Sequence, residues 1–142
     1  MQNIQYNIPP YKSKFNIPMY MTIENIQTAT LGTIEAFLDQ NFKVYIPSVI
    51  DTVEEIREAN VLLSRYASYE IYLLEVYTKI KIRKRLVKAA GVDQSVFDDW
   101  LSKEELFKTY MENAKEAHDT IWQMLKTRTW VVEEMRCLHS TP

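Results

Sequence analysis

A chain of 142 residues, 46% of them hydrophobic, has room for one domain with its own core and is short for two. Two glycines, five prolines and a formal net charge of −2 set it apart from disordered and low-complexity classes, and no internal repeat is visible. No apolar run reaches the ~20 residues of a membrane span, the start lacks a basic flank with an apolar signal core, and the lone Cys137 excludes an intrachain disulfide or a paired-cysteine zinc or redox motif. The expectation is a soluble, intracellular protein of a reducing compartment, the cytoplasm, with no membrane partner.

In chain order, residues 1–21 hold three prolines, three tyrosines and scattered isoleucines with neither helical nor alternating period, which reads as an extended arm. Its boundary is drawn at residue 32, where Gly32 interrupts the chain and Thr33 can cap a short helix, "TIEAFLDQNF". "FKVYIP" reads as a brief extended piece ended by Pro47. Thr52 with Glu55 is a capping box, opening a helix whose Ile56, Ala59, Leu63, Tyr66, Leu73, Val76 and Ile80 recur at steps near three and four. That helix is expected to stop at Gly91, because glycine takes the left-handed conformation without steric cost. Asp93 then caps a short helical turn, "QSVFDDWL", and Ser102 with Glu105 opens a last helix to about Leu138. Along it Phe107, Met111, Ala114, Ile121, Leu125, Val132 and Met135 keep coiled-coil-like spacing, with His118 and Arg128 in the same seam.

The expected fold is therefore all-α: an extended N-terminal arm, 1–32, before a helical domain, 33–138, of two long helices joined by a short helical turn. Stripes of that length exceed what one protomer buries, so self-association into an oligomeric helical assembly is expected.

Within this mildly acidic chain the stretch "TKIKIRKRLVKAAG" gathers Lys79, Lys81, Arg83, Lys84, Arg85 and Lys88 with no acid, so the segment is +6 and the remainder −8. Lys81, Arg85 and Lys88 share one helical face, where each like-charge pair costs roughly 0.2–0.5 kcal/mol without an anion nearby. One reading is a solvated helix end paired with Asp93, Asp98 and Asp99. The other makes all six a phosphate-contacting surface, since a row of Lys and Arg along a backbone releases counterions. Without a helix-turn-helix, zinc-finger or basic-zipper pattern, single strands suit this surface better than duplex. Tyr66, Tyr69, Tyr72 and Tyr77 upstream could stack on bases, but Tyr66 lies on the apolar stripe and core packing is the stronger reading.

Catalysis is not expected. The two histidines, an unsupported Cys137 and two glycines assemble neither a nucleophile with its base nor a phosphate loop. Glu104, Glu105, His118 and Asp119 lack the Glu-x-x-His spacing of carboxylate-bridged metal bundles and read as a solvated acidic face. No catalytic residue, metal site or cofactor is assigned. Trp100 and Trp122 read as packing anchors, and Glu75 with Lys79 as an i, i+4 pair.

The run "IRKRLVKAAG" resembles the Lys/Arg-x-Arg-Leu helix end, closed by glycine, of phage recombination mediators of the UvsY type. "LKTRTWVVEEM" is similar to that family's C-terminal Lys-x-Arg-x-aromatic-x-aliphatic pattern, and "FKVYIPSVIDTVEEIREA" to its aromatic-Ile piece leading into the first long helix. The three segments stand in the same order and the resemblance covers roughly residues 33–136. It implies a small helical protein, oligomeric in a ring, that binds single-stranded DNA and helps load a RecA-like recombinase onto strands coated by single-strand-binding protein. It places Arg83, Arg85 and Leu86 on the DNA-binding motif and the last helix, with Trp130 and Met135, on the oligomerising region. Leu125, Trp130, Val132 and Met135 are the expected oligomer contacts. The competing expectation is a small viral structural or assembly protein of the virion, whose arm laces onto neighbouring subunits and whose basic segment faces packaged DNA or an acidic partner.

Overall fold

The computed structural model describes residues 21–140, with side chains through Arg128. Those residues form α1 (Ile23–Thr28), α2 (Leu31–Phe42), α3 (Val53–Ala90) and α4 (Gln94–Ser140), and no strand is present among them. The all-α expectation holds. The first twenty residues of the expected arm lie outside the described residues, but its last part is not extended. Thr22 Oγ1 accepts the Asn25 N–H at 3.1 Å and Asn25 Oδ1 accepts the Thr22 N–H at 3.2 Å, a reciprocal cap that starts α1. Ile26 at the centre of α1 is fully buried.

The second helix is capped three residues earlier than expected. Thr30, not Thr33, is the N-cap, and its Oγ1 accepts the Thr33 N–H at 3.2 Å. Gly32 falls in the first turn, where its low helix propensity interrupts nothing. Ile34, Leu38 and Phe42 follow at steps of four and are all buried. Residues 43–52 are neither helix nor strand.

The third helix behaves as its sequence dictates. Thr52 Oγ1 accepts the Glu55 N–H at 3.0 Å while Glu55 Oε1 accepts the N–H groups of Asp51 and Thr52 at 2.9 and 3.0 Å. The helix runs for 38 residues, about 57 Å at 1.5 Å per residue, and ends where Gly91 takes φ 71° and donates its N–H to Lys88 C=O.

Beyond it the structure departs from the expected short turn plus last helix: α4 runs unbroken from Gln94 through Ser102 to Ser140. A Ser and a Glu three apart can cap a helix, but no glycine or proline between 94 and 102 forces a break. Buried Trp100 and Phe107, seven residues apart, keep one stripe continuous through Ser102. The joint between the long helices is therefore only residues 91–93.

That tight joint folds α4 back along α3, so that Lys84 meets Glu104 near the joint while Ala59 and Tyr66 meet Ala117, Ile121 and Leu125 at the far end. Two apolar clusters result. Near the joint, Ile26, Ile34, Leu38 and Phe42 of α1 and α2 lie against Tyr72, Leu73, Val76 and Ile80 of α3 and Trp100 and Phe107 of α4. At the far end Ile50 of the 43–52 segment closes the second cluster. Burying each such Leu, Ile or Phe stabilises by about 1.5–3 kcal/mol. Much of the stripe expected to need another subunit is thus covered by α1, α2 and the connecting segment of the same chain. No helix among the described residues is long and apolar enough to cross a membrane.

Candidate nucleic-acid interface

The six cations of the basic segment occupy the last three turns of α3, and the helical turn of about 100° per residue divides them. Lys84, Lys88, Lys81 and Arg85 fall on the flank toward the start of α4. Lys79 and Arg83 fall on the flank toward α1. The segment is therefore two surfaces and not one ridge.

Most of the second flank is engaged within the chain. Arg83 Nη1 donates to Gln27 Oε1 at 2.9 Å and the guanidinium lies 5.8 Å from the Trp100 ring centroid. Lys79 Nζ sits 3.2 Å from Glu75 Oε2, the expected i, i+4 pair, with both side chains well exposed. On the first flank, Lys84 Nζ lies 2.5 Å from Glu104 Oε1, and the two side chains retain only 21% and 11% of their accessible surface. That oxygen has no other hydrogen-bond partner, so Lys84 alone compensates its burial.

Three cations remain turned outward. Arg85 and Lys88 are exposed and Lys81 is half-buried, and none of the three forms an ion pair among the described residues. Lys81 Nζ lies 5.2 Å from the Tyr77 centroid and Lys88 Nζ 5.8 Å from that of Phe97, positions that steady the ammonium groups without neutralising them. They stand at i, i+4 and i+7, along one side of the helix. The expected neutralisation by Asp93, Asp98 and Asp99 is not what forms: Asp99 Oδ2 pairs with Lys103 Nζ at 2.7 Å, and Asp98 Oδ1 accepts from Gln94 Nε2 at 2.9 Å.

No protein-family model, curated protein or solved structure matches the chain. The interface is accordingly defined by its own geometry.

Sequence reasoning missed Lys103. Its side chain is 1% exposed, and beyond Asp99 it donates to Gln27 C=O at 3.2 Å and lies 5.3 Å from the Trp100 centroid. It ties α1 to α4 beside Arg83. The signal available was its position one turn past Trp100 on the buried stripe, with Asp99 at i−4. Glu104, assigned to a solvated acidic face, is likewise buried, because it serves Lys84.

The tyrosines divide as core packing requires. Tyr66 and Tyr72 are buried, and Tyr69 packs partly buried against both clusters. Phe42 stacks on Tyr72 at 5.1 Å and meets Tyr69 edge-on at 5.0 Å. Tyr66 Oη accepts the Tyr45 N–H at 2.6 Å and donates to Tyr45 C=O at 3.1 Å, pinning the connecting segment. Burial pushes the Tyr66 and Tyr69 hydroxyls above the ordinary tyrosine pKa. Only Tyr77, half-buried beneath Lys81, stands near the cationic flank.

Among the expected oligomer contacts, Leu125 is buried in this chain's own second cluster. The side chains of Trp130, Val132 and Met135 lie outside the described residues. Trp122, expected as a packing anchor, is 48% exposed, whereas Trp100 is buried as expected. His118 is partly exposed, and the fully buried seam position beside it is Ala117. No cluster of three or more His, Cys, Asp or Glu able to hold a metal occurs among the described residues.

Proposed function

We propose that this protein is a non-catalytic single-stranded-DNA-binding recombination mediator that grips the strand through Lys81, Arg85 and Lys88. The observation that carries the reading is the flank itself: three cations in register over two turns, without an ion pair among the described residues, on a helix packed against the cores beneath it. Such a row is unfavourable unless a polyanion meets it, and phosphates supply one. Lys84, Arg83 and Lys79, which have partners of their own, contribute less to binding than their place in the basic run suggests. Recombinase loading rests on the resemblance to UvsY-type mediators in "IRKRLVKAAG" and its two companion segments. A ring of weakly binding subunits would convert modest contacts into firm attachment, because each later contact is intramolecular.

The reading is tested by fluorescence anisotropy with labelled oligo-dT at low salt, with a duplex of equal length as competitor. Tighter binding of the single strand, lost in Arg85→Ala/Lys88→Ala and kept in Lys84→Met/Glu104→Leu, is the expected outcome. Equal loss in both variants, or no binding by the wild type, contradicts it. A second reading, a viral structural or assembly subunit, is favoured by the exposed apolar row on α3, Ile71, Leu74, Ile82 and Leu86. Indifference to either oligonucleotide supports that reading instead.

A further inference from the structure

The outward face of α3 carries a feature that the cations do not explain. Ile71, Leu74, Ile82 and Leu86 are 69%, 49%, 49% and 59% exposed, and with Thr78 between them they recur at steps of three, four, four and four. They form one row roughly 23 Å long at 1.5 Å per residue, on the side of the helix away from α4. A single exposed leucine is ordinary, but four large apolar side chains in one row over four turns of a helix, interrupted only by Thr78, form a candidate docking surface. Along its edge the row opens into a groove of about 660 Å³ whose wall mixes Met21, Ile23 and Val76 with the charged Glu75, Lys79 and Arg83.

The charges flanking the row select the occupant. Between residues 70 and 77 the only charged side chains are Glu70 and Glu75, whereas residues 79–88 hold six cations and no acid. Thr78 is the point where the sign reverses. A parallel neighbour would set cations against cations. An antiparallel copy of the same helix, related by a two-fold axis through Thr78, sets the acids of each chain beside the cations of the other, with residue 71 facing 85 and 74 facing 82. Both edges of the row are then complementary, as an isologous contact requires.

We propose that the protein forms a two-fold dimer in which α3 packs antiparallel on the α3 of a second copy, centred on Thr78 and sealed by Ile71, Leu74 and Ile82. The two-fold axis stands perpendicular to the paired helices, so the Lys81 and Lys88 edges of both copies emerge on the same side, with Arg85 at the border of the contact beside residue 71 of the second copy. The two edges lie roughly 20 Å apart along the helix direction. The pairing itself does not depend on what those cations bind.

Cysteine cross-linking in a Cys137→Ser background tests the register. Thr78→Cys is expected to form a disulfide-linked dimer on mild oxidation. Ile71→Cys alone is expected to stay unlinked but to link to Arg85→Cys when the two proteins are mixed. Leu74→Glu, at an exposed position, is expected to halve the mass seen by light scattering with an unchanged helical circular dichroism spectrum. Self-linking of Ile71→Cys would show a parallel pair and overturn the proposal. So would a Thr78→Cys protein that stays unlinked, or a Leu74→Glu protein of wild-type mass.

Discussion

Lys84 of α3 and Glu104 of α4 neutralise each other across the closed end of the helical hairpin, each with little surface left to solvent. Removing one partner strands the other in a mostly dry site, where breaking a buried pair costs 3–5 kcal/mol. With 21% of the lysine side chain still exposed, Lys84→Met is expected to cost about 2–3 kcal/mol, read as a lower denaturation midpoint at unchanged m-value. Lys84→Met/Glu104→Leu should regain most of it, since no unpaired charge remains.

Tyr66→Phe removes a hydroxyl that both accepts from and donates to the backbone of Tyr45. Two partly buried backbone groups lose their partner, a destabilisation of about 1–3 kcal/mol. Hydrogen exchange at the Tyr45 amide should accelerate far more than at Leu73. Because burial raises the Tyr66 pKa, the neutral phenol favours the fold. Its contribution is complete below the ordinary tyrosine value of 10.0 and is lost as pH rises through the raised one, so Tyr66→Phe should flatten the alkaline limb of the stability curve.

Glu55 titrates in the opposite sense. The backbone N–H groups of Thr52 and Asp51 hold its carboxylate below the ordinary glutamate value of 4.5. Its stabilising effect is present above that value and fades as pH falls through the lowered one. Glu55→Gln is expected to make thermal stability less sensitive to pH across that acid window, and an unchanged acid limb would remove the cap from the account.

Gly91 ends α3 at a positive φ that L side chains adopt at a cost of about 1–2 kcal/mol. No atom crowds a Cβ there, so Gly91→Ala tests backbone conformation alone. A destabilisation of about 1 kcal/mol, smaller for Gly91→Asn, is expected by chemical denaturation.

What the sequence made legible follows from how local each signal is. Thr52, Glu55 and Gly91 act on their own backbone, so both ends of α3 could be read directly, and the apolar period placed Ala59, Leu73, Val76 and Ile80 inward. The start of α1 was less legible because Asn25, not Glu or Gln, completes its cap, and because Ile26 is buried only by helices that arrive later in the chain. Ser102 carried a capping signal that was overridden by a stripe continuous on both sides of it. The division of the basic segment was out of reach. A lysine turned to solvent and a lysine facing Glu104 look alike until the hairpin closes, and the tight joint at residues 91–93 is what sets Lys84 inward and Arg85 outward.

The central claim is that Lys81, Arg85 and Lys88 hold single-stranded DNA. A salt titration of oligo-dT binding tests it most directly, because each phosphate contact adds about 0.7 to the slope of log affinity against log salt. Three contacts per chain predict that Lys81→Ala/Arg85→Ala/Lys88→Ala lowers the slope by about 2 per subunit engaged while the helical spectrum is preserved. A triple variant that binds with wild-type affinity and wild-type slope would contradict the account.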